Sequence, residues 1–200
     1  AAQHSQSLEA WFYHIPGLKV AVPVTPYDVK GMLKTAIRDD NPVIFFEHKL
    51  SYPMKGEVPE GDYTVPFGKA AIRREGSDVT IVSYSLMSIK AQKAADELAQ
   101  EGINCEVIDL RTLNPLDHEA VTRSVEKTHR LVVVQESHLR GGVASDIVAD
   151  VIDRAFDNLD GPPVRVGALN VPIPFNRKLE SMVIPNEEKI KKAVYKALGM

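Results

Sequence analysis

The chain has 200 residues, of which 44% are hydrophobic and 26% are charged, and its formal net charge is -3. This composition is typical of a soluble globular protein, and the length suffices for one ordinary domain or for a domain plus part of another. The net charge gives no electrostatic basis for binding nucleic acid or a membrane surface. Apolar runs such as residues 131–134 are far too short to span a bilayer.

The single cysteine, Cys105, excludes an internal disulfide bond and a cysteine-rich metal site. Because it lies in the apolar run NCEVIDL, we predict a buried structural thiol. These features favour a reducing, cytoplasm-like compartment. The amino end carries no transit-peptide signature.

The first part of the chain, AAQHSQSLEAWFYHIPGLKVAVP, opens without a start methionine or a first strand, so we expect it to be the back part of an α/β domain. Helical spacing of apolar residues predicts a helix over 5–15, and strands are predicted over 18–22 and 43–46. Between the strands, Thr25 and Pro26 begin a second helix whose apolar face comprises Val29, Met32, Leu33, Ala36 and Ile37. Strand–helix–strand is the repeat unit of a parallel sheet.

Residues 47–66 differ in character, because prolines and glycines alternate with charged residues and apolar periodicity is lacking. We therefore predict an extended linker between domains. From Phe67 onward a second α/β alternation predicts a whole domain with helices on both faces of its sheet. Its predicted strands are 79–84, 105–110, 131–135 and 164–166, and its predicted helices are 87–100, 117–127, 144–155 and 186–198.

Two groups in the first part could carry chemistry. His4 could transfer protons or orient a charged intermediate, or it could simply be a solvated neighbour of a helix cap. The orphan carbonyls and polar side chains of residues 36–41 could surround a monovalent cation, or they could form an ordinary helix C-cap.

In the second part, Gly141-Gly142 could cradle a phosphate, but a tight strand-to-helix turn is the better prediction because the full glycine fingerprint is lacking. Asp109 and Arg111 lie at the carboxyl end of a strand, and we predict that they fix a loop or an interface rather than catalyse a reaction. Asp117 is predicted to be a helix N-cap. His14 is predicted to be structural at the end of the first helix, and His48, His118, His129 and His138 show no spacing typical of a metal site.

Several of these segments together resemble one family. They are AAQHSQSLEAWFYHIPGLKVAVP, IRDDNPVIFFEHKLSY, EGSDVTIVSYS, EVIDLRTLNPLD, RLVVVQE followed by GGVASDI, and VPIPFNRKLE. In this order they resemble the beta subunit of the decarboxylating component of 2-oxo acid dehydrogenase complexes, which include the pyruvate, branched-chain and acetoin enzymes.

The resemblance implies an α/β fold in which residues 1–47 are the carboxyl-terminal part of a thiamine-diphosphate pyrimidine-type domain. Residues 48–67 are then a linker, and 68–200 a transketolase C-terminal-like three-layer α/β/α domain. It further implies that His4 is the active-site histidine beside the cofactor, which helps to pass an acyl group to a lipoyl arm. The positions that match a structural potassium site are Ala36, Ile37, Asp39 and Asn41.

The resemblance also implies partners: an alpha subunit in an alpha2-beta2 heterotetramer, a dihydrolipoamide acyltransferase core, and a second beta chain. In the family, the alpha subunit holds the cofactor's diphosphate and magnesium, and the glutamate that activates the cofactor lies in a stretch missing here. We therefore expect the isolated chain to be inactive and not to bind thiamine diphosphate. Its exposed sheet edge is expected to be covered by a second copy or by the second domain.

The expected function is oxidative decarboxylation of a 2-oxo acid, pyruvate in the first place, with acyl transfer to lipoamide. The alternatives are an acetoin dehydrogenase beta subunit and a noncatalytic module for assembly or docking. A transketolase or deoxyxylulose-phosphate synthase relative fits the fold but fits the QHSQ and IRDDNP segments less well. The expected location is the cytoplasm of a bacterium or the mitochondrial matrix of a eukaryote.

Overall fold

The computed structural model describes residues 3–200, and within them the chain forms α-helices and β-strands that alternate almost throughout. The helices are α1 (Glu9–Tyr13), α2 (Pro26–Ile37), α3 (Leu86–Ala99), α4 (His118–Thr128), α5 (Val143–Ala155), α6 (Arg177–Val183) and α7 (Glu187–Ala197). The strands are β1 (Lys19–Ala21), β2 (Val43–Phe45), β3 (Ala71–Arg74), β4 (Val79–Ser83), β5 (Cys105–Asp109), β6 (Thr112–Asn114), β7 (Leu131–His138) and β8 (Val164–Ala168).

A small sheet of order β2-β1-β6 joins the two parts of the chain. Strands β1 and β2 are parallel and are connected by α2, which confirms the predicted strand–helix–strand unit. The third strand, β6, comes from the second part and runs antiparallel to β1. The sequence did not predict it, because three residues outside an apolar run carry no strand pattern of their own. The sequence led us to expect that a second copy or the second domain would cover the exposed sheet edge. In the structure, the second part of the chain covers the edge of β1 through β6.

The large sheet has the order β3-β5-β4-β7-β8. Strands β5, β4, β7 and β8 are parallel, as predicted, but an unpredicted antiparallel strand β3 pairs with β5 at one edge. Its sequence AIRR has no apolar run, and Ile72 is 51% exposed, so the strand forms through pairing with its neighbour rather than through burial. Helix α6 was also unpredicted.

Helices pack on both faces of the large sheet, as the apolar strands predict. One apolar cluster contains residues of α3, α7 and the sheet, and it includes Cys105, which is fully buried. Burial raises the pKa of the Cys105 thiol to about 12, which confirms the predicted structural thiol. The other cluster contains residues of α4 and α5 together with Val20 and Val22, so the first part of the chain shares its core with the second.

The predicted helix over 5–15 is only partly right, because the structure restricts α1 to Glu9–Tyr13. Its expected apolar face is not buried as a unit: Phe12 packs edge-on against Phe46, whereas Trp11 is 70% exposed and Ile15 is 49% exposed. Helix α2 begins as predicted, with the Thr25 hydroxyl accepting from the Asp28 amide. On its apolar face, Met32 is buried, but Leu33 and Ile37 are exposed, which corrects the expected packing.

The segment 47–66 is irregular apart from a short 3-10 turn at Lys49–Ser51, but it is not a free linker. Tyr63 stacks on Tyr27 of α2 with ring centroids 4.8 Å apart, and Val65 is buried against the small sheet. Asp62 pairs with Lys34 of α2 and with Arg38, the C-cap of that helix. The prolines and glycines that suggested a linker therefore belong to a strap that lies along α2.

A buried ionic network fixes α2 to the large sheet. Asp28 is fully buried and accepts hydrogen bonds from the Thr25 hydroxyl at 2.6 Å and from Arg111 Nη1 at 3.1 Å. Arg73 pairs with Asp28 and also donates from Nη2 to Asp109 Oδ2 at 2.6 Å. Arg111 additionally donates to the Lys69 carbonyl, so the predicted loop-fixing role of Asp109 and Arg111 is confirmed.

The charges in this network balance one another. Burial by itself would raise the pKa of Asp28, but the Thr25 hydroxyl and the two guanidinium groups hold it below its ordinary value. Burial raises the pKa of Asp109 against the opposing pull of Arg73. Because its pKa is depressed, Asp28 contributes stability above about pH 4 that is lost as the pH falls further.

Replacing Arg73 by leucine should lower the free energy of unfolding by about 3–5 kcal/mol, because two buried carboxylates would lose their shared counter-charge. Urea denaturation measures the change. The matched control is Arg123→Leu, which breaks an ion pair with Glu119 whose partners are 65% and 66% exposed and should cost less than about 1 kcal/mol. Equal effects of the two substitutions would contradict the proposed role of Arg73.

Candidate functional site

A cleft of about 200 Å³ opens where the first part of the chain meets the carboxyl ends of β4 and β7. Its walls carry imidazole, carboxylate, phenol and amide groups. They include Gln3, His4, Gln6, Ser7, Glu9, Glu47, His48, Tyr84, Ser85 and Glu136. In open α/β sheets ligands bind outside the carboxyl ends of the strands, so this cleft is the candidate functional site.

His4 lies in a turn at the mouth of the cleft, with its side chain exposed. The sequence predicted it at the start of a helix, but α1 begins only at Glu9, so His4 precedes the helix by a loop. An imidazole can donate or accept a proton through its ring nitrogens. His4 thus lines the candidate cleft, and its predicted catalytic role stays a prediction.

Glu9 and Tyr84 form a buried hydrogen bond below the His4 loop. The Tyr84 hydroxyl donates to Glu9 Oε1 at 2.7 Å, and the Ser7 hydroxyl donates to Glu9 Oε2 at 2.8 Å. Glu9 is 3% exposed and Tyr84 is 2% exposed. Burial, and next the Glu9 carboxylate, raise the pKa of the Tyr84 phenol well above its ordinary value, so the hydroxyl keeps its proton and remains a donor.

His48 and Glu136 form a second contact across the cleft. His48 Nε2 lies 3.0 Å from Glu136 Oε2, while its Nδ1 accepts from the Leu50 amide at 3.2 Å. Because Nδ1 accepts, Nε2 carries the proton and donates to the carboxylate. The Nε2 contact joins the segment after β2 to the carboxyl-terminal part of β7, and the Nδ1 bond from the Leu50 amide caps the 3-10 turn at Lys49–Ser51.

Sequence reasoning found His4 but missed Glu9, His48, Tyr84 and Glu136. One signal was available: Tyr84 ends the strand predicted over 79–84, and Glu136 follows the strand predicted over 131–135. The carboxyl ends of β4 and β7, which are adjacent in the sheet, bring these two side chains to one edge. No spacing along the chain pointed to Glu9 or His48, because their partners are far away in sequence.

The glycine pair before α5 is a turn, as predicted. Gly142 is the N-cap of α5, and a Cβ atom there would come within 1.9 Å of Gln135 Nε2. Gln135 Oε1 accepts from the Ala144 amide at 2.7 Å, so an amide that a phosphate would need is already bonded. Asp117 caps α4 by accepting from the Ala120 amide at 3.2 Å, which confirms the predicted N-cap.

The candidate potassium ligands lie together at the end of α2. Asp39 accepts from Lys19 Nζ at 2.5 Å and, through its other oxygen, from the Asn41 backbone and side-chain amides at 2.9 and 3.0 Å. The Lys19 ammonium, followed by Asn41, lowers the pKa of Asp39 to about 2. The Ala36 and Ile37 carbonyls, in the last turn of the helix, have the oxygen chemistry that potassium prefers, whereas the Asp39 carboxylate already has a cation partner.

Across residues 3–200, no group of three or more histidine, cysteine, aspartate or glutamate side chains is arranged to hold a metal ion. Within the same range, no helix is long and apolar enough to cross a membrane.

Comparison with known protein families gives two matches that follow each other along the chain. Residues 1–55 match the pyrimidine binding domain of transketolase, and residues 68–190 match the transketolase C-terminal domain. The second match covers more than half of the chain. The chain belongs to the transketolase C-terminal domain family. The predicted α/β fold class is thereby confirmed, with mixed rather than purely parallel sheets.

Within this transketolase-like family the chain is homologous to beta subunits of acetoin and pyruvate dehydrogenases. It is 50% identical over 199 residues to the beta subunit of acetoin:2,6-dichlorophenolindophenol oxidoreductase from Bacillus subtilis, covering 100% of this chain and 58% of the relative. It is 46% identical over 196 residues to the beta subunit of the pyruvate dehydrogenase E1 component from the same organism, covering 98% and 60%. The resemblance noted in the sequence is confirmed, and the chain spans about three-fifths of the length of these relatives.

A solved structure also matches this family member. It is a split gene transketolase described as an inactive beta4 tetramer, with a TM-score of 0.80 and 28% identity, and the match covers 96% of this chain and 61% of that chain. The exact domain boundaries predicted from the sequence, at 47 and 67, stay a prediction.

Potassium binding at the end of α2 can be tested by thermal denaturation. A ligand that binds only the folded state stabilises it. If potassium binds the folded chain, the midpoint temperature of unfolding should therefore rise with KCl concentration, and it should exceed the midpoint in choline chloride of equal ionic strength. Asp39→Asn should reduce the difference, and the matched variant Asp40→Asn should retain it. Identical midpoints in both salts would remove Ala36, Ile37, Asp39 and Asn41 from the ligand list.

Proposed function

We propose that this chain is part of the beta subunit of a thiamine-diphosphate-dependent dehydrogenase. In this proposal the complete enzyme oxidatively decarboxylates a 2-oxo acid, with pyruvate as the first candidate, and passes the acyl group to lipoamide. The observation that carries the proposal is the exposed His4 imidazole at the mouth of a polar cleft, in a chain homologous to such beta subunits.

The cleft suits one end of the cofactor better than the other. Imidazole and amide groups from Gln3, His4 and Gln6 fit the polar organic end of thiamine. The Glu9 and Glu136 carboxylates on the inner wall would repel a diphosphate. We therefore infer that the diphosphate and its magnesium are held by the alpha subunit, and that this chain supplies the wall facing the reacting end.

When bound, thiamine diphosphate supplies a sink for the electron pair left behind as carbon dioxide departs. The part of this chain would be to present His4 at the cleft, where its imidazole would hold or release a proton on a ring nitrogen during acyl transfer. Glu136 keeps His48 oriented across the cleft, and neither side chain is free to take over the role of His4 while they are paired.

Acetoin is the second candidate substrate. The two acetoin:2,6-dichlorophenolindophenol oxidoreductase beta subunits, from Bacillus subtilis and Cupriavidus necator, are 50% and 52% identical to this chain. The pyruvate dehydrogenase beta subunits are 45% to 48% identical. Because the sequence identity to the acetoin relatives is slightly higher, both acetoin and pyruvate should be assayed.

The partners follow from the same proposal: an alpha subunit in an alpha2-beta2 assembly, a second beta chain, and a dihydrolipoamide acyltransferase core. Support comes from the outer edge of β2, which has no strand partner among residues 3–200, and from the exposed side chains of Leu33 and Ile37. We place a bacterial form in the cytoplasm and a eukaryotic form in the mitochondrial matrix, and the rice and Caenorhabditis elegans relatives are named as mitochondrial.

The alternative is a noncatalytic module that serves only assembly or docking. The related split gene transketolase structure is described as an inactive beta4 tetramer, which supports an isolated chain that self-associates without activity. This alternative and the main proposal differ in what His4 does once the alpha subunit is present.

The isolated chain should show no detectable binding of thiamine diphosphate and magnesium by isothermal titration calorimetry, since the Glu9 and Glu136 carboxylates in the cleft would repel the diphosphate. The control is the assembly with the alpha subunit, which should bind the cofactor. Micromolar binding by the isolated chain would contradict the proposed division of the site between subunits.

In the complete enzyme, His4→Ala should reduce acyl transfer to lipoamide by about 10²–10⁴-fold, the range typical of a lost acid–base group. The free energy of unfolding should change by less than about 0.5 kcal/mol, because the side chain is exposed. His14→Ala, which removes an exposed histidine at the end of α1, is the matched control. Both variants are assayed with pyruvate and with acetoin. Unchanged turnover of His4→Ala would support the assembly module instead.

A further inference from the structure

The loop that carries His4 has little structure of its own to hold it in place. Helix α1 has only five residues, and its N-cap, Leu8, makes no side-chain capping bond. A single helical turn of this length is not stable by itself in water. The position of His4 over the cleft must therefore come from contacts between this loop and the rest of the protein.

One of these contacts is centred on the Glu9 carboxylate, which uses both of its oxygens. Oε1 accepts from the Tyr84 hydroxyl and Oε2 accepts from the Ser7 hydroxyl. Ser7 is only three residues from His4, a distance of at most about 11 Å along an extended chain. Glu9 thus connects the His4 loop on one side to Tyr84 on the other.

Tyr84 is a rigid anchor because of its place in the large sheet. It directly follows β4, which pairs with β5 on one side and with β7 on the other. Its ring belongs to the apolar cluster between the sheet and α4 and α5. A side chain that is fixed next to the central strand of the sheet can define the position of a loop that is bonded to it.

The pairing is also costly to break. A buried carboxylate that loses a hydrogen-bond donor is left with unsatisfied charge, and the penalty for this exceeds that for an exposed pair. The loop is therefore favoured in the one arrangement that keeps the phenol and the carboxylate together.

We propose that Glu9 and Tyr84 are positioning residues that hold the His4 loop over the cleft through their buried hydrogen bond. This inference rests on the proposed function of His4. The consequence is that loss of the Tyr84 hydroxyl displaces His4 without removing it, and a misplacement of about 1 Å is enough to slow a reaction by up to about 10²-fold.

The first test measures the loop directly and needs no cofactor. Amide hydrogen exchange of the full chain should speed up by at least about tenfold in residues 5–13 of Tyr84→Phe, with little change elsewhere. The control is Tyr195→Phe, which removes the same kind of bond, from a tyrosine hydroxyl to Glu101 at 2.7 Å. Glu101 lies beyond the far end of α3, about 20 Å from Tyr84 along the helix, so this variant should leave the loop unchanged.

The second test uses the complete enzyme with its alpha subunit. Tyr84→Phe should lower kcat for acyl transfer to lipoamide by about 10- to 100-fold, while KM for the oxo acid and the rate of dichlorophenolindophenol reduction change by less than about twofold. A purely structural defect would lower both rates together. Glu9→Gln keeps an acceptor for the phenol and should retain most of the transfer rate, whereas Glu9→Ala should match Tyr84→Phe.

The double variant Tyr84→Phe with Glu9→Ala should be no slower than either single variant, because both remove one interaction. If Tyr84→Phe fails to fold, the comparison of Glu9→Gln with Glu9→Ala in both tests decides in its place. Unchanged loop exchange and unchanged transfer in the Tyr84 and Glu9 variants, with His4→Ala strongly impaired, would overturn the positioning role and leave the proposed function standing. Unchanged transfer in His4→Ala itself would overturn both.

Discussion

The arrangement of this protein depends on the neutralisation of Asp28 inside the joint between its two parts. A carboxylate that is fully buried at the start of α2 would be strongly destabilising alone, but Arg73 and Arg111 from the second part surround it. Arg73 in turn satisfies Asp109 at the end of β5. Since these charges are satisfied only when α2 lies against the large sheet, the network fixes how the two parts meet.

The candidate site is a product of that joint. Two polar contacts line the cleft, Glu9 with Tyr84 and His48 with Glu136, and each joins a residue of the first 50 to a residue at the carboxyl end of a sheet strand. Strand β6 extends the same connection by adding the second part of the chain to the small sheet. His4 faces the cleft because its loop is tied to this composite wall, and the transketolase-like fold supplies the strand ends on which the wall is built.

The sequence predicted the elements that are stabilised mainly by their own pattern. The apolar strands β4, β5 and β7, the amphipathic helices α3, α4, α5 and α7, and the caps at Thr25 and Asp117 were all found. The elements that depend on a neighbour were missed. Strand β3 is charged and half-exposed, and β6 has only three residues, so both exist because a partner strand offers hydrogen bonds. The exposed faces of α1 and α2 were mispredicted for a related reason, since periodicity reveals an apolar face but not what covers it.

Taken alone, the order of residues determined the α/β class, the parallel unit around α2, the buried Cys105 thiol, the resemblance to dehydrogenase beta subunits and the candidacy of His4. Tertiary structure decided which distant side chains meet: Asp28 with Arg73, Glu9 with Tyr84, and His48 with Glu136. The physical reason is that local pattern records whether a residue prefers burial, a helix or a strand. The partner of a buried charge is selected only when segments far apart in the chain pack together and exclude water.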